Sequence, residues 1–411
     1  MTAMMQKPEI LAPVGDFERL GFALDFGADA VYLGGTAFGM RAGSAKFDFD
    51  TLKKTCEIAH AKGVKVYLTC NTLPTNEEIA QLPDYLKNSA ACGIDALIVA
   101  DVGVLMEAKR VVPDTEIHIS TQTGVVNYLT ARELYHMGAK RVVLARELSF
   151  DDIRCVRDNT PPDLDIECFV HGAMCMSFSG RCLLSNYLLG RDANRGQCAQ
   201  PCRWNYYLME EKRPGLYFPI EERPEGSYIL NAKDMCMIEH MDKLVKAGIS
   251  SFKIEGRAKS FYYVAVVTNA YRQALDLYWK DPENFVLPAW IEEETRKVSH
   301  RQYSTGFYFG RPEQGQFYEN GGYVREWDVV AIVDAWENGI LSCTQRNKFM
   351  AGDEVEILAP GRKPVALTVE SITDAEGVQQ PSANHAMMKF TMPSAVEFPK
   401  GSIIRKAAEE K

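Results

Sequence analysis

Five of the chain's eleven cysteines, Cys175, Cys182, Cys198, Cys202 and Cys236, fall in one stretch of the sequence. Their order, C-x6-C-x15-C-x3-C-x33-C, is neither the paired C-x2-C of a zinc knuckle nor the run of a ferredoxin. Thiolates are the ligands that zinc and iron–sulfur clusters take. Four of them drawn from uneven spacing suit a four-iron, four-sulfur cluster or a structural zinc ion, and thiols that merely pack are the third reading. The loops GAMCMSFSGRCLLS (172–185) and GQCAQPCRW (196–204) supply Gly172, Ser177, Ser179, Gly180 and Gly196, small residues that let backbone N–H groups approach sulfur. Arg181, Arg191, Arg195 and Arg203 make this stretch basic, fit to offset cluster charge, meet phosphates or face solvent. Cys56, Cys70, Cys92, Cys155, Cys168 and Cys343 are scattered and read as packing.

Distant thiols need a frame to bring them together. Between residues 9 and 257 short apolar runs recur: EILAPVG (9–15), AVYLGG (30–35), KVYLTCN (65–71), ALIVAD (96–101), EIHISTQ (116–122), RVVLARE (141–147), LDIECFVHG (164–172) and SFKIEGR (251–257). They are apolar almost throughout, as parallel strands covered on both faces are. Helical segments such as 50–63 and 131–140 fall between them, and FGADA, CGIDA, MGAKR and AGISS repeat one helix-stop, strand-start pattern. The expected fold is α/β, a (β/α)8 TIM-like barrel, preferred to an open doubly wound sheet. Each run ends in polar residues: Asn71, Asp101, Ser120, Gln122, Arg146, Glu147, His171, Lys253, Glu255 and Arg257. In a barrel such ends converge on one rim, where enzymes of this fold place their chemistry.

The seventh run is followed by a cysteine-rich insertion, 172–229, far longer than an ordinary barrel loop and therefore a candidate for function. The segment 232–248 reads as a helix before the eighth strand. The expected division is a barrel domain (1–280), a connector (281–327) and a small all-β barrel (328–411) of short alternating runs split by Gly, Pro and Asp turns. A net charge of −9 argues against a general phosphate-coating binder but allows a local basic patch. The start of the chain lacks signal-peptide features and no apolar run reaches spanning length, so no membrane association and a cytoplasmic location, with reduced thiols, are expected.

ECFVHGAMCMSFSGRCLLS (167–185) resembles the signature of the peptidase U32 family, also called collagenase-like proteases, with every motif position filled. LAPVGDFERLGFALDFGADAVYLGG (11–35), GQCAQPCRW, NAKDMC (231–236) and SFKIEGR extend that resemblance over residues 8–275, and the terminal β-barrel is similar to the family's C-terminal, translation-factor-like domain. Relatives of this length and layout are tRNA hydroxylases that form 5-hydroxyuridine at the wobble position without dioxygen, taking the hydroxyl from prephenate with an iron–sulfur cluster. Others hydroxylate ribosomal RNA, act in quinone synthesis, or carry the older peptidase label. The sequence has neither H-E-x-x-H nor G-x-S-x-G to support peptidase chemistry. The resemblance implies a 4Fe-4S cluster on Cys175, Cys182, Cys198 and Cys236, with Cys202 as the alternative fourth ligand. It also implies tRNA (anticodon loop), prephenate and the iron–sulfur assembly machinery as partners.

A prephenate dianion calls for cations and hydrogen-bonding amides. Arg41, Arg146, Lys253 and Arg257 are the candidate cations, and Asn71 and Gln122 the orienting amides. Glu147, Glu167 and His171 are candidates for moving protons. Trp204, Tyr206 and Tyr207 beside Arg203 offer planes for a splayed base, and Arg346, Lys348, Arg362 and Lys363 offer phosphate contacts.

Overall fold

The computed structural model describes residues 6–40, 47–175, 177–178, 182, 184–193, 197–203, 232–310 and 323–408. The chain divides into two compact units, one of residues 1–20, 28–258 and 301–323, the other of residues 21–27, 259–300 and 324–411.

The first unit is built on β1 (Glu9–Pro13), β2 (Ala30–Gly34), β3 (Lys65–Cys70), β4 (Ala96–Val99), β5 (Glu116–Ile119), β6 (Arg141–Val143) and β7 (Asp165–Ala173), then β8 (Asp234–Cys236), β9 (Ser251–Ile254) and β10 (Tyr303–Ser304). β1 to β7 pair in parallel in sequence order, and β9 pairs in parallel with both β7 and β1, which closes an eight-stranded barrel. All eight apolar runs of the sequence are therefore barrel strands. Both faces of these strands are covered, which is why they read as unbroken apolar runs. Helix ends use glycine in the left-handed region, as at Gly93 (φ 89°) and Gly138 (φ 101°), and this is the repeated stop pattern of the sequence.

The segment 232–248 departs from the expected single helix. Its first part is β8, antiparallel to the end of β7, with Cys236 opposite His171, and only Met241–Lys246 is α-helical. β7 is nine residues long and overruns the barrel rim. Its free upper edge recruits β8, and β8 in turn pairs with β10.

In the second unit, strands from Trp327–Glu337 to Ile403–Ala407 form one eight-stranded antiparallel sheet with a separate two-stranded pair. They enclose one apolar core that includes Val330, Phe349, Ile357 and Phe390. Arg405 lies fully buried here, donating to Glu294 at 2.5 Å, Glu356 at 2.7 Å and the Tyr262 hydroxyl at 3.2 Å. No described helix is long and apolar enough to cross a membrane.

Candidate functional site

The barrel interior is charged from its floor upward. Inward side chains come from alternate positions of each strand, which places Glu9, Tyr67, His118, Arg141, Glu167, Ser251 and Lys253 together. Arg141 Nη1 bonds Glu9 closely and donates to Glu167 Oε2 at 3.1 Å, and its Nη2 reaches Asp165 at 3.2 Å. Glu167 is 0% exposed and accepts from Lys253 Nζ at 2.6 Å; Lys253 is 4% exposed. Tyr67 and Ser251 donate to Glu9 at 3.0 and 2.9 Å.

Burial works to raise the carboxyls of Glu9 and Glu167, but the cations overcome it: Arg141 holds Glu9, and Lys253 with Arg141 holds Glu167, below the ordinary carboxylate value. Burial, followed by the Arg141 charge, pushes the His118 imidazole well below its ordinary value and keeps it neutral. Glu9, Glu167 and the partly exposed Asp165 compensate Arg141 and Lys253 at this level, so neither buried cation lacks a carboxylate.

Above the floor, cations alternate with aromatic rings. The Arg146 guanidinium lies 3.8 Å and the Lys253 ammonium 5.4 Å from the centre of Phe169; Lys253 is also 4.6 Å and Arg257 5.8 Å from the centre of Tyr32. Arg146 is fixed by the Ala173 carbonyl at 2.6 Å and Glu255 at 3.1 Å. Arg257 donates to Thr69 Oγ1 at 3.0 Å and the Met40 carbonyl at 2.7 Å. Gly34 makes this possible, since a Cβ there would stand 2.9 Å from Arg257 Nη1.

Asn71 accepts the Met40 N–H at 3.1 Å, and Gln122 touches the Met40 sulfur. Three rim residues named from the sequence, Asn71, Gln122 and Arg257, thus converge on Met40 in the loop after β2. Asp101 caps the helix Val102–Val111 through Val104 N–H at 3.0 Å, a structural duty. Glu147 is half-buried on the rim. His171 is buried with Nε2 3.4 Å from the Tyr303 hydroxyl, whereas Glu167 is committed to the floor network.

The thiols stand at the same end, beyond β7. Cys175 accepts the Ser177 N–H, Cys182 the Leu184 N–H at 3.3 Å and Cys198 the Gln200 N–H at 3.4 Å. Each of these sulfurs therefore receives a backbone donor from the residue two positions on, the bond that steadies a thiolate ligand. Gln200 takes φ 57°, a conformation that costs a residue bearing Cβ about 1 kcal/mol, where its N–H points back at Cys198. Burial raises the Cys175 thiol, and the neighbouring Cys182 and Cys198 add to this against the pull of the Ser177 N–H and Arg146. Cys175, Cys182, Cys198 and Arg146 consequently share one electrostatic neighbourhood.

Cys236 is half-buried on β8, and Cys202 is half-buried in the turn Pro201–Arg203. Among the described residues no three His, Cys, Asp or Glu side chains clasp a single ion. The loop presents a set of thiols whose hydrogen bonding fits thiolate ligation. Cys56, Cys70, Cys92, Cys168 and Cys343 are buried elsewhere, with thiols pushed up by burial.

Arg41, Arg181, Arg195, Trp204, Tyr206, Tyr207 and the side chain of Arg203 lie outside the described residues. Arg346, Lys348, Arg362 and Lys363 belong to the second unit, where Arg346 stands 5.5 Å from the Phe261 ring and the other three are exposed. Sequence reasoning missed Glu9, Tyr67, His118 and Arg141, whose signal was the period-two alternation back from each strand end. It also missed Tyr303, because the strand that carries it is two residues long and gives no periodic signal.

The sequence profile of peptidase family U32 matches residues 15–317, and that of the peptidase family U32 C-terminal domain matches residues 325–405. The chain is 38% identical over 393 residues to tRNA hydroxylation protein P1 of Bacillus subtilis, covering 94% of this chain and 92% of that protein. It is 35% identical over 423 residues to tRNA hydroxylation protein P of Escherichia coli, covering 92% of each. A protein of Porphyromonas gingivalis named collagenase is 38% identical over 314 residues, covering 74% of each. With both profiles spanning nearly all of the barrel and the β-domain, the chain belongs to peptidase family U32.

Proposed function

We propose that this chain is an RNA hydroxylase, an iron–sulfur-dependent enzyme that forms 5-hydroxyuridine at the wobble position of tRNA, with prephenate rather than dioxygen supplying the hydroxyl. The observation that carries the reading is the set of N–H···S turns at Cys175, Cys182 and Cys198 beside Arg146, at the mouth of a barrel lined by Lys253 and Arg257. The names of the Bacillus subtilis and Escherichia coli relatives support tRNA as the substrate. Cys175, Cys182, Cys198 and Cys236 are the ligands proposed for a 4Fe-4S cluster, with Cys202 as the alternative to Cys236. Held by four cysteines, such a cluster would supply one-electron chemistry.

The protein's own groups account for binding. Arg146 and Arg257 bring guanidinium forks, and Lys253 a point charge, to the carboxylates of an organic dianion. Asn71 and Gln122 orient it once Met40 yields. Glu147 and His171 are the groups placed to hold or pass a proton at the rim; Glu167, paired with Lys253 at 2.6 Å, instead fixes that lysine. Replacing hydrogen by hydroxyl at C5 balances as an exchange: uridine C–H and donor C–OH become uridine C–OH and donor C–H. The base loses two electrons and the donor gains them.

Nucleoside mass spectrometry of tRNA from a deletion strain tests this directly, with loss of 5-hydroxyuridine and its derivatives expected. Protein purified without oxygen should be brown and bind iron, and should form 5-hydroxyuridine from prephenate and tRNA. Unchanged tRNA nucleosides in the deletion strain would overturn the reading. The Porphyromonas gingivalis relative's name keeps a peptidase reading in view, and cleavage of denatured collagen that survives Cys175→Ser would favour it.

A further inference from the structure

We propose that Phe178 is the platform on which the target pyrimidine of a single-stranded RNA loop stacks, an assignment that rests on the RNA-hydroxylating reading above. The ring is 50% exposed on the thiol loop. Its Cε1 lies 3.6 Å from the point where Gly124 would carry a Cβ, and Gly124 has φ 76°. Glycine at this position serves twice: it accepts the left-handed backbone, and it leaves the ring a bare surface to rest on.

Gly124 ends the rim turn Thr121–Thr123, which carries Gln122. On the other side Ser177, the preceding residue, donates its N–H to Cys175 Sγ. Phe178 is thus held between an amide-bearing turn of the barrel rim and the thiols, with half of its surface open. A base leaving its loop loses stacking on both neighbours and needs a replacement plane at the place where it reacts.

The surroundings favour single-stranded RNA over a protein partner. Leu188 and Leu189 are also exposed on the helix Leu184–Leu189 of the same excursion. Leu188 and Leu189 are adjacent, with exposed Asn186 before them and exposed Gly190 and Arg191 directly after. A ring, small polar residues and a guanidinium are what an unpaired nucleotide takes, the ring for its base and the cation for its phosphate.

The test uses the full chain, reconstituted with iron and sulfide without oxygen, as wild type, Phe178→Ala and Phe178→Tyr. The probes are an anticodon stem-loop with uridine at the wobble position and the same stem-loop with an abasic residue there. The wild type should bind the uridine loop about 5- to 150-fold more tightly than the abasic one, the range of a single base–ring stack. Phe178→Ala should abolish this preference while leaving iron content and affinity for the abasic loop unchanged, and Phe178→Tyr should keep it. A preference that survives Phe178→Ala, or an equal loss on both loops, overturns the platform. A wild type that ignores both loops refutes the RNA reading, and the platform falls with it.

Discussion

Glu167→Gln is the sharpest test of the barrel floor. The substitution keeps the shape of a side chain that is 0% exposed and removes its charge. Arg141 still has Glu9 and Asp165, so the loss falls on Lys253, whose ammonium stood 2.6 Å from Glu167 and is 96% shielded from solvent by the barrel wall. The rings of Tyr32 and Phe169, at 4.6 and 5.4 Å, only partly replace a carboxylate. Breaking a buried pair from one side costs about 3–5 kcal/mol, and at about 2 °C per kcal/mol for a unit of this size the melting point of the first unit should fall by about 6–10 °C. The double change Glu167→Gln with Lys253→Met removes both charges and should recover at least about 2 kcal/mol of that loss. Calorimetry gives the shift, and hydrogen exchange on peptides from β7 and β9 assigns it to the barrel. The sign in pH is fixed as well. Glu167 titrates below its ordinary 4.5 in the folded chain, so its contribution is complete above that value and lost as pH falls through the folded one. The gap between wild type and Glu167→Gln should therefore close in acid. A single variant within about 1 kcal/mol of wild type, or a double variant no better than the single, would refute the reasoning.

On the function proposed above, Cys182→Ser and Cys198→Ser should each lose reconstituted iron, and comparing Cys236→Ser with Cys202→Ser by iron content tests which is the fourth ligand, with loss expected at Cys236. Arg405→Met takes from Glu294 the Nη2 donor at 2.5 Å and leaves it Lys297 at 3.1 Å, so it should destabilise the second unit by about 3 kcal/mol in calorimetry, the low end for a broken buried pair, with Glu294→Gln restoring part of it. Gly35→Ala would drive a Cβ to 2.4 Å from the Tyr85 hydroxyl, on a ring that cannot swing aside, and should destabilise by about 1–3 kcal/mol in urea unfolding. Gly34→Ala meets the movable end of Arg257 at 2.9 Å and Thr69 Oγ1 at an ordinary 3.4 Å, so it should cost less stability than Gly35→Ala and, on the function proposed above, raise the KM for prephenate.

The barrel was legible because each of its eight strands is a run buried on both faces, and the runs recur with the same glycine stop. β8 and β10 were not, because strands of three and two residues carry no periodic signal and exist only through the overrun of β7. The segment around Met235, Ile238, Met241 and Leu244 shows how a correct period can mislead. All four are buried at spacings of three, yet the first belongs to a strand. Periodicity records which side chains are covered; the hydrogen bonds are decided by which partner offers a free edge.

The same distinction governs the site. A polar residue at the end of a barrel strand faces the rim, and Asn71, Gln122, Arg146 and Arg257 do so, but its partner depends on chain that the strand does not contain. Three of these four converge on Met40, and Arg146 holds Ala173 and Glu255. Glu9 and Arg141 were passed over because charges at the start of strands look like solvent-facing boundaries, whereas barrel closure carries both inside. Arg141 and Lys253 are matched by Glu9 and Glu167 at the floor, and Arg146 is matched by Glu255 above it, so the charges that line this side of the barrel are engaged at both levels. Cys175 lies in the field of that same Arg146, so the Arg146–Glu255 pair and the first thiol stand at one level of the barrel mouth.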